Sequence, residues 1–462
     1  MRPGQFNLRI FSLIVADAAI IYGGVILAMY LRLGLDGPLY ELEQKNGWIR
    51  ISLVTVFCIV NLYFYDLYDY VVMTNRRELM LRLVQAMGIA WALLALLFYF
   101  VPSLMLGRGV SVISVPLVLL LLLGWRIGIH GLTGHPEIGE KILVVGTGKA
   151  ALDTAEAVWD RRDAGYRIVG FVSENGAKPR EKLGRSEILG KAFDLEDIIR
   201  AEKIDRVVIA VRERRGVFPT EALLKMSLAG DVSIEECTSF FERITGKVHI
   251  DMVRPSWLIF AGRQRDSRVK AAFRESVHRG LALVGLVVSL PFAVITAALI
   301  KLESRGPIFY RQERVGKNGR IFNVIKFRSM RTDAEADGTP VWAIDNDKRV
   351  TLVGRVIRKI RIDEIPQFWN ILKGEMNFVG PRPERPHFVK QLATEIHYYE
   401  HRHLVAPGLT GWAQIKYPYG ASVDDAIQKL QYDLYYIKNQ SLTLDLVIVF
   451  ETFKTVLFGK GR

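Results

Sequence analysis

Long apolar stretches dominate the first third of the chain, at about residues 8–33, 49–65, 83–101 and 110–129. Each approaches or reaches the ~20 residues that a helix needs to cross a bilayer. Arginines lie before the first stretch and between the second and third, whereas the connection at residues 34–47 is mainly acidic. By the positive-inside rule the N-terminus is cytoplasmic, and four crossings return the chain to that side. The pattern therefore predicts four transmembrane helices.

Polar residues inside two of these stretches leave alternatives open. Asp17 lies within the first stretch, and a charged residue inside a membrane is costly, so it is either a functional group or a helix contact. The second stretch ends with Asn61 and several tyrosines, and a buried core helix is the alternative for it.

From Lys141 the pattern changes to short apolar strands that alternate with helical segments. The run KILVVG leads through GTGKAA into a helical pattern, and RIVGFVSE and DRVVIAV predict further strands. This order predicts a Rossmann-like α/β module. Gly146, Gly148 and Ala151 match the G-x-G-x-x-G/A spacing that brings a phosphate to a helix N-terminus, and Glu174 stands near the place of a ribose-binding acid. Many turns use glycines for geometry alone, so we favour a regulatory or assembly module over nucleotide binding.

A fifth apolar run covers residues 280–300 and is interrupted by Pro291. If it crossed the bilayer, the rest of the chain would lie outside the cell, away from nucleotide-activated substrates. Proline removes a helical hydrogen bond and favours a kink, and the Ser289 hydroxyl is a candidate to satisfy the freed backbone groups. We therefore expect a re-entrant helix with its break at Ser289 and Pro291. In the connector before it, Trp257 and Phe260 suit a membrane interface.

The composition agrees with a membrane protein. The 462 residues include 62 Lys and Arg against 48 Asp and Glu, a formal charge of +14, and half of them are hydrophobic. A basic and apolar chain favours a membrane protein with a cationic cytoplasmic face over a nucleic-acid binder. Two cysteines, Cys58 and Cys237, predict no disulfide framework and no metal cluster. No signal-peptide cleavage pattern is present, so we expect the first stretch to be retained.

The candidate chemistry lies in RKIRIDEIPQFWNILKGEMNFVGPRPE, residues 358–384. Asp363 and Glu364 stand before a helix that Pro366 suits at its start and Gly374 at its end, where a helix dipole favours ionised carboxylates. Basic residues surround the pair, namely Arg358, Lys359, Arg361 and Arg382. Carboxylates that attack phosphorus or hold a metal, next to cations that neutralise phosphate oxygens, suit phosphoryl transfer. The alternative is a solvated helix cap with surface ion pairs.

A cationic block from Lys301 to Arg331 follows the fifth apolar run, with VIKFRSM as its predicted strand. A charge run is usually a solvated face, but after a membrane segment it suits anionic head groups or a phosphate substrate. The C-terminal LTLDLVIVFETFKTVLFGK suits a helix that lies on the membrane or packs in a core.

The last third of the chain closely resembles the bacterial sugar transferase family, the polyprenyl-phosphate hexose-1-phosphate transferases. The matching stretches are ESRGPIFYRQERVGKNGRIFNVIKFRSM, residues 345–384, VAPGLTGWAQI and YDLYYIKNQSLTLDL. The four predicted spans and the Rossmann-like module resemble the larger subgroup of the family, and PSWLIF resembles members tied to exopolysaccharide export.

The resemblance implies a reaction in which a UDP-sugar and undecaprenyl phosphate give undecaprenyl-diphospho-sugar and UMP. This step begins exopolysaccharide, capsule or O-antigen assembly, and downstream glycosyltransferases use its product. It implies Asp363 as the nucleophile that forms a covalent phospho-sugar intermediate. It implies Glu364 as the partner of Asp363 in metal binding or proton handling, with both residues as Mg²⁺ ligands. Lys326, Arg358 and Arg382 match the phosphate-handling positions of the family, and we add Arg328 and Arg361 as candidate substrate contacts.

The expected architecture is a membrane α-helical bundle, a Rossmann-like α/β domain and an α/β catalytic domain with a re-entrant helix. The boundaries are 1–135 for the bundle, 136–250 for a nucleotide- or CoA-binding-like module, 251–273 for a connector and 274–462 for the catalytic domain. We expect a multi-pass protein of the bacterial inner membrane with its catalytic domain facing the cytoplasm. A homo-oligomer formed through the middle module stays open.

The sequence departs from the family pattern at three places. Arg274 and His278 stand where the family commonly carries Lys-Arg and an Asp, and Leu290-Pro291 replaces Ser-Pro. Ala406 replaces an arginine of the Pro-Gly-x-Thr-Gly-Trp-Ala-Gln motif. These departures concern the anchoring of the re-entrant helix and one substrate contact.

Two other classes of function remain as alternatives. One is a membrane-tethered nucleotide-sugar dehydratase or epimerase that uses NAD, but we find no Tyr-x-x-x-Lys pair after the strands. The other is a non-enzymatic scaffold or sensor, for which Asp363 and Glu364 would be dispensable. Sugar identity is open, with glucose or galactose expected by analogy.

Overall fold

The computed structural model describes residues 8–34, 37–44, 46–68, 76–105, 107–133, 140–161, 165–174, 180–211, 226–230, 232–252, 268–332, 334, 347, 349–417, 420 and 422–457. The chain divides into two compact units, residues 2–234 and residues 235–462. The predicted membrane-interface residues Trp257 and Phe260 lie outside the described residues.

The first unit begins with the predicted apolar helices, and their bounds are α1 Leu8–Leu33, α2 Gly37–Gln44, α3 Gly47–Phe64, α4 Arg76–Phe100 and α5 Arg108–Thr133. The short helix α2 occupies the acidic connection and was not predicted. The four long helices share one apolar core that includes Ile21, Val54, Leu83 and Leu122. In the described part of the chain, five helices are long and apolar enough to cross a membrane, namely these four and residues Val269–Glu303. The prediction of four N-terminal apolar helices is confirmed.

Asp17 makes a contact between helices. Its carboxylate pairs with the Arg126 guanidinium of α5, and both side chains are almost fully buried. Arg126 also donates to the Leu67 carbonyl at 2.8 Å and lies over the Tyr68 ring. A paired charge inside an apolar bundle avoids the cost of an isolated one, so the helix-contact interpretation of Asp17 fits these contacts.

The predicted Rossmann-like module follows in the same unit. Its elements are β1 Glu140–Val145, α6 Lys149–Trp159, β2 Tyr166–Ser173, β3 Lys182–Leu183, β4 Ser186–Lys191, α7 Leu195–Glu202, β5 Arg206–Ile209 and β6 Ser233–Glu236. The sheet has the order β3-β4-β2-β1-β5-β6. Strand β1 pairs in parallel with both β2 and β5, and β2 pairs in parallel with β4. Parallel strands need crossover connections, which explains the alternation seen in the sequence.

The second unit holds the candidate chemistry. Its elements are α8 Cys237–Thr245, α9 Arg268–Glu303, β7 Phe309–Val315, β8 Ile321–Phe327, α10 Leu352–Lys359, α11 Gln367–Lys373, β9 Asn377–Val379, α12 Pro386–Glu395, β10 Gly408–Thr410, α13 Trp412–Lys416, α14 Val423–Lys438 and α15 Leu442–Leu457. Strands β7 and β8 form an antiparallel hairpin, and β9 pairs in parallel with β10. The largest core of this unit gathers Val379, Trp412, Tyr436 and Leu444 from four of these elements.

The segment that follows β6 packs with elements of the second unit, although the sequence analysis placed residues 235–250 in the middle module. Trp412 Nε1 donates to the Gly246 carbonyl at 2.7 Å, and Lys438 Nζ lies 2.7 Å from Glu242 Oε2. Val248 and Ile250 join the same core as Trp412. The boundary therefore falls near residue 234, because the apolar side chains after it are buried against the second unit.

The fifth apolar run lies in α9, a helix of 36 residues that continues through Pro291. The proline therefore does not end the helix, and a bend at this point stays a prediction. Ser289 Oγ contacts the Leu286 carbonyl at 3.3 Å, not the Val287 carbonyl from which Pro291 withdraws its N–H. Both halves of α9 contact the unit, with Ala282 packed near Ile371 and Ile300 packed near Phe327. Between them Val287, Val288, Leu290 and Phe292 are exposed apolar side chains.

The first half of α9 is anchored by the residues that depart from the family pattern. His278 Nε2 lies 3.2 Å from Asp445 Oδ2, and Arg274 Nη2 donates to Gln440 Oε1 at 3.0 Å. Asp445 Oδ1 in turn accepts from the Tyr436 hydroxyl at 2.8 Å. Arg274 and His278 thus hold α9 to the start of α15.

Candidate active site

The two carboxylates lie in a tight turn between α10 and α11. Helix α10 is capped at its start, where Thr351 Oγ1 accepts from the Gly354 N–H at 2.9 Å. It ends at Lys359, and Arg361, two residues later, has a left-handed φ of 59° that leads the chain into the next turn. A 3₁₀ turn then carries Asp363 and Glu364 inward, so that both are buried. The predicted positions of Pro366 and Gly374 at the two ends of α11 are observed.

Glu364 is the member of the pair whose pKa is lowered. Its Oε1 atom lies 2.7 Å from Arg382 Nη2, 3.3 Å from Lys326 Nζ and 3.8 Å from Arg361 Nη1. Burial alone would raise its pKa, but Arg382, Lys326 and Arg361 together hold the pKa of this carboxyl well below its usual range. Glu364 therefore stays ionised and fixes three cations around one oxygen. The cations come from three separate parts of the chain.

Asp363 lies in different surroundings. Within the described residues its Oδ1 atom is buried and has no hydrogen-bond partner. Burial, together with the negative charge of Glu364, raises the pKa of Asp363 to about 6. Lys326, Arg361 and Arg358 act in the opposite direction on the same carboxyl. An ionised carboxylate with an unengaged oxygen among cations is suited to attack an electron-poor phosphorus.

Four of the five predicted basic residues act on this pair. Lys326, Arg361 and Arg382 contact Glu364, and the charge of Arg358 lowers the pKa of Asp363. Burial lowers the pKa of Lys326, while the neighbouring Glu364 raises it. The cations outnumber the two carboxylates, so the site suits a ligand with more than one negative charge.

The structure does not place Arg328 with these residues. Strand β8 ends at Phe327, so the alternation that would turn residues 326 and 328 to the same face stops before Arg328. Its buried guanidinium donates to the carbonyls of Arg305 and Ser304 at 2.9 and 2.8 Å. It also contacts the carbonyl of Ile300 at 3.3 Å. Arg328 therefore satisfies carbonyls at the C-terminus of α9, which is a structural role.

Asn370 fixes the distance between the carboxylate turn and Lys326, and sequence reasoning missed it. Its Oδ1 accepts from the Ile325 N–H at 3.1 Å, and its Nδ2 donates to the Asn323 carbonyl at 2.7 Å. The side chain is fully buried, and its hydrogen bonds to residues 323 and 325 tie α11 to the part of β8 just before Lys326. The available signal was a single asparagine among the apolar residues of FWNIL, positions 368–372.

The loop that carries Arg382 is held by Arg314, a second residue that was not predicted. Arg314 Nη1 donates to the Pro383 carbonyl at 2.9 Å and lies 3.3 Å from Glu384 Oε2. Arg314 belongs to the cationic block, where its position in β7 gave no sign of this contact.

The glycines of the middle module form a βα turn, as predicted. Gly146 has a φ of 120°, and its N–H donates to the Val172 carbonyl at 2.8 Å. Gly148 is the N-cap of α6, and Glu174 directly follows β2. Nucleotide binding by this turn stays a prediction.

Two family models match the chain. The model described as bacterial sugar transferase matches residues 269–459, and the model described as CoA-binding domain matches residues 64–215. The first range contains every residue of the carboxylate site. The chain belongs to the bacterial sugar transferase family.

Curated relatives of this transferase family extend the comparison. A UDP-N-acetylgalactosamine-undecaprenyl-phosphate N-acetylgalactosaminephosphotransferase of Aeromonas hydrophila is 42% identical over 56% of this chain and 61% of its own length. An undecaprenyl-phosphate glucose phosphotransferase of Komagataeibacter xylinus is 34% identical over 72% of this chain and 62% of its own length. The exopolysaccharide production protein PSS of Rhizobium leguminosarum bv. phaseoli is 39% identical over 39% of this chain and 93% of its own length. The chain thus spans about six tenths of the length of the first two relatives.

Proposed function

We propose that this protein transfers a hexose-1-phosphate from a UDP-sugar to undecaprenyl phosphate, giving undecaprenyl-diphospho-sugar and UMP. This is the step that begins the synthesis of an exopolysaccharide, capsule or O-antigen. The observation that carries the proposal is the buried Asp363–Glu364 pair, with Asp363 unengaged at Oδ1 and cations gathered on Glu364. The family match to residues 269–459 supports it.

In the first step, the Asp363 carboxylate attacks the phosphorus that bears the sugar. A bond forms between the carboxylate oxygen and this phosphorus, and the bond from the phosphorus to the UMP oxygen breaks, so UMP leaves with the electron pair. In the second step, an oxygen of undecaprenyl phosphate attacks the same phosphorus and releases the Asp363 carboxylate. Two displacements through a covalent intermediate replace one difficult transfer.

Lys326, Arg361 and Arg382 stabilise the charge that develops on the diphosphate oxygens. Their side chains are already held near Glu364, at 3.3, 3.8 and 2.7 Å from its Oε1, so they need little reorganisation during the reaction. Glu364 keeps its charge across the neutral range because its pKa lies below the usual value. Its role is therefore to orient the cations around the site.

The donor set fits a Mg²⁺ ion that is completed by substrate oxygens. The buried, unpartnered Oδ1 of Asp363 and the neighbouring carboxylate of Glu364 offer two oxygen donors, and the described residues contain no group of three or more metal-ligating side chains. Mg²⁺ commonly binds through one or two carboxylates plus phosphates. We propose that Asp363 and Glu364 hold it. When bound, the ion would offset negative charge on the diphosphate.

The apolar surface of the catalytic unit fits a lipid substrate. The middle of α9 exposes Val287, Val288 and Leu290, and α10 exposes Leu352 and Val356 on the helix that ends at the carboxylate turn. We propose that α9 is re-entrant and that the site faces the cytoplasm of a bacterial inner membrane. The carboxylates would then meet the phosphate of the lipid at the level of the head groups.

The sugar is the least defined part of the proposal. Names of the relatives differ, with N-acetylgalactosamine in one and glucose in another. Glucose and galactose are retained as first candidates, and amino sugars belong in the same test.

The test measures UMP release by the full-length protein in nanodiscs from a panel of UDP-sugars, with and without undecaprenyl phosphate and Mg²⁺. We expect release from one sugar that depends on both, and its loss in Asp363→Asn. Release of UMP without any lipid, in an amount equal to the enzyme, would identify the first displacement. No release from any sugar would refute the proposal. Undiminished release by Asp363→Asn would refute the covalent role and favour the scaffold alternative for this pair.

A further inference from the structure

The loop Gly380–Glu384 delivers Arg382 to the site, and two of its five residues are prolines. Pro381 and Pro383 have no N–H, so the loop is anchored mainly through its carbonyl groups, together with the Gly380 N–H, which donates to the Thr410 carbonyl at 2.9 Å. Four successive carbonyls accept hydrogen bonds from three different parts of the unit, since Arg314 and Val315 are neighbours in β7: Pro381 from Gly408 N at 2.9 Å, Arg382 from Arg402 Nη2 at 3.0 Å, Pro383 from Arg314 Nη1 at 2.9 Å and Glu384 from Val315 N at 2.9 Å.

Arg402 makes the contact nearest to the catalytic side chain, because it holds the peptide of Arg382 itself. It lies in the 3₁₀ segment Tyr399–Leu404 and is only 7% exposed. Its Nη2 also donates to Asp433 Oδ2 at 2.9 Å, and its Nη1 donates to the Tyr399 hydroxyl at 2.6 Å. The guanidinium therefore has its donors directed at three acceptors from three places in the chain.

Asp433 supplies the negative charge that compensates the buried Arg402 guanidinium. It lies on α14, is 2% exposed, and is buried with Arg402 behind the Arg382 loop. A buried ion pair contributes little net stability, since the cost of removing two charges from water offsets their attraction. Apolar side chains would fill the same space as well. The pair instead contributes a defined geometry, because the planar guanidinium directs its N–H donors in a fork that a lysine ammonium cannot reproduce.

We propose that Arg402 and Asp433 are positioning residues that set the placement of the Arg382 guanidinium through the Arg382 carbonyl. They do not touch the substrate. Asp433 orients Arg402, Arg402 fixes the Arg382 peptide, and Arg382 Nη2 then meets Glu364 Oε1 at 2.7 Å. The inference rests on the proposed function for its kinetic consequence, but its structural part stands without it.

The structural part is tested by hydrogen–deuterium exchange of the full-length protein in detergent. Arg402→Lys keeps the charge and loses the fork, so we expect faster exchange in a peptide that covers residues 377–388. Asp433→Asn should act in the same direction with a smaller effect. Arg243→Lys is the matched control, because it alters another partly buried ion pair of this unit, with Glu235, away from the loop. Exchange in residues 377–388 that stays at the wild-type rate in Arg402→Lys would overturn the inference.

The kinetic part asks whether Arg402 acts through Arg382. We expect Arg402→Lys to lower kcat for UMP release by about 10- to 100-fold, because small misplacements at a distance are costly. The KM for the UDP-sugar should change less than kcat. In an Arg382→Gln background, Arg402→Lys should add less than about twofold, since coupled residues are not additive. An equal fold-loss in both backgrounds would overturn the inference.

The two experiments separate this inference from the proposed function. If the wild type releases no UMP, the proposed function is wrong, and the exchange rates alone decide whether Arg402 holds the loop. If the wild type is active and Arg402→Lys does not fold, Asp433→Asn provides the same comparison, with Arg382→Gln as its partner.

Discussion

The turn at Gly146–Gly148 and the turn at Asp363–Glu364 both lead into a helix, but their surroundings differ. A Cβ atom added to Gly148 would meet no described atom within 4 Å. Position 146 requires glycine, because its φ is positive and its backbone lies close to Ala210. At the second turn, three cations from separate elements reach one carboxylate oxygen. Backbone geometry accounts for the glycines of the first turn, whereas the cations gathered around the buried carboxylates of the second turn fit the reaction proposed above.

The largest expected difference between the two turns comes from replacing the proposed nucleophile, Asp363. Asp363→Asn keeps the size of the side chain and should lower UMP release by about 10³-fold or more, because it removes an essential group. Gly148→Ala in the other turn should change the same rate less than about twofold, since open space surrounds its Cβ. A large loss in Gly148→Ala would mean that the middle module takes part in the reaction.

A second comparison sets Lys326 against Arg328, two cations that are neighbours along the sequence but have different contacts. Lys326→Gln should lower kcat by about 10- to 100-fold, the usual range for one electrostatic stabiliser. Arg328→Gln should instead destabilise the fold by about 1–3 kcal/mol, because carbonyls at the end of α9 lose a donor. Rates per folded molecule and thermal unfolding in detergent measure the two effects. Equal losses of rate in both variants would contradict the assignment of Arg328.

The acidic limb of the pH profile tests the environment of Asp363. The attacking form is the carboxylate, so kcat/KM should be full above the pKa and fall as the pH drops through it. With the pKa of Asp363 raised to about 6, the fall begins near pH 6 and approaches about tenfold per pH unit below it. Glu364→Gln removes the neighbouring negative charge and should move this limb to lower pH. A limb near pH 4 in the wild type would contradict the raised pKa.

The smallest expected effect belongs to Gly146. Gly146→Ala places a side chain at a φ of 120° and within 3.3 Å of the Ala210 carbonyl carbon. The module should lose about 1–2 kcal/mol of stability, the order of the penalty for left-handed backbone in residues with a Cβ. Thermal unfolding of this variant beside Gly148→Ala measures the difference. If the two glycines behaved alike, their roles in the turn would not be those assigned here.

Periodicity and turn chemistry predicted the helices and helix ends that are determined by residues close together in the sequence. The apolar stretches became α1, α3, α4 and α5, and Pro366 and Gly374 bound α11 as expected. The carboxylate pair and the arginines near it in the sequence were recognised because these residue types are unusual together, whereas Lys326 was assigned through the family resemblance. The short helix α2 was missed, because the acidic connection carries no apolar periodicity that would mark a helix.

Contacts between residues far apart in the chain could not be predicted from the sequence. Asn370 is an ordinary polar residue until β8 is placed beside it, 47 positions earlier in the chain. Arg402 and Asp433 are 31 positions apart, and either alone predicts a surface charge. Arg328 was proposed as a substrate contact, but its hydrogen bonds to the carbonyls of Arg305 and Ser304, 23 and 24 positions earlier, could not be predicted from the sequence. Local patterns and the family resemblance thus pointed to the candidate reactive groups, and tertiary contacts showed which residues hold them.

The ion pair inside the helical bundle has a consequence for how this protein is made. Asp17 and Arg126 are separated by 109 positions, and they join the first long helix to the last. During synthesis the first helix leaves the ribosome with its carboxylate long before the guanidinium exists. A lone aspartate in hydrocarbon is costly, so α1 gains its full partner only once α5 has been inserted. The Asp17 carboxylate therefore meets its cation only after the fourth long helix of the bundle has been synthesised.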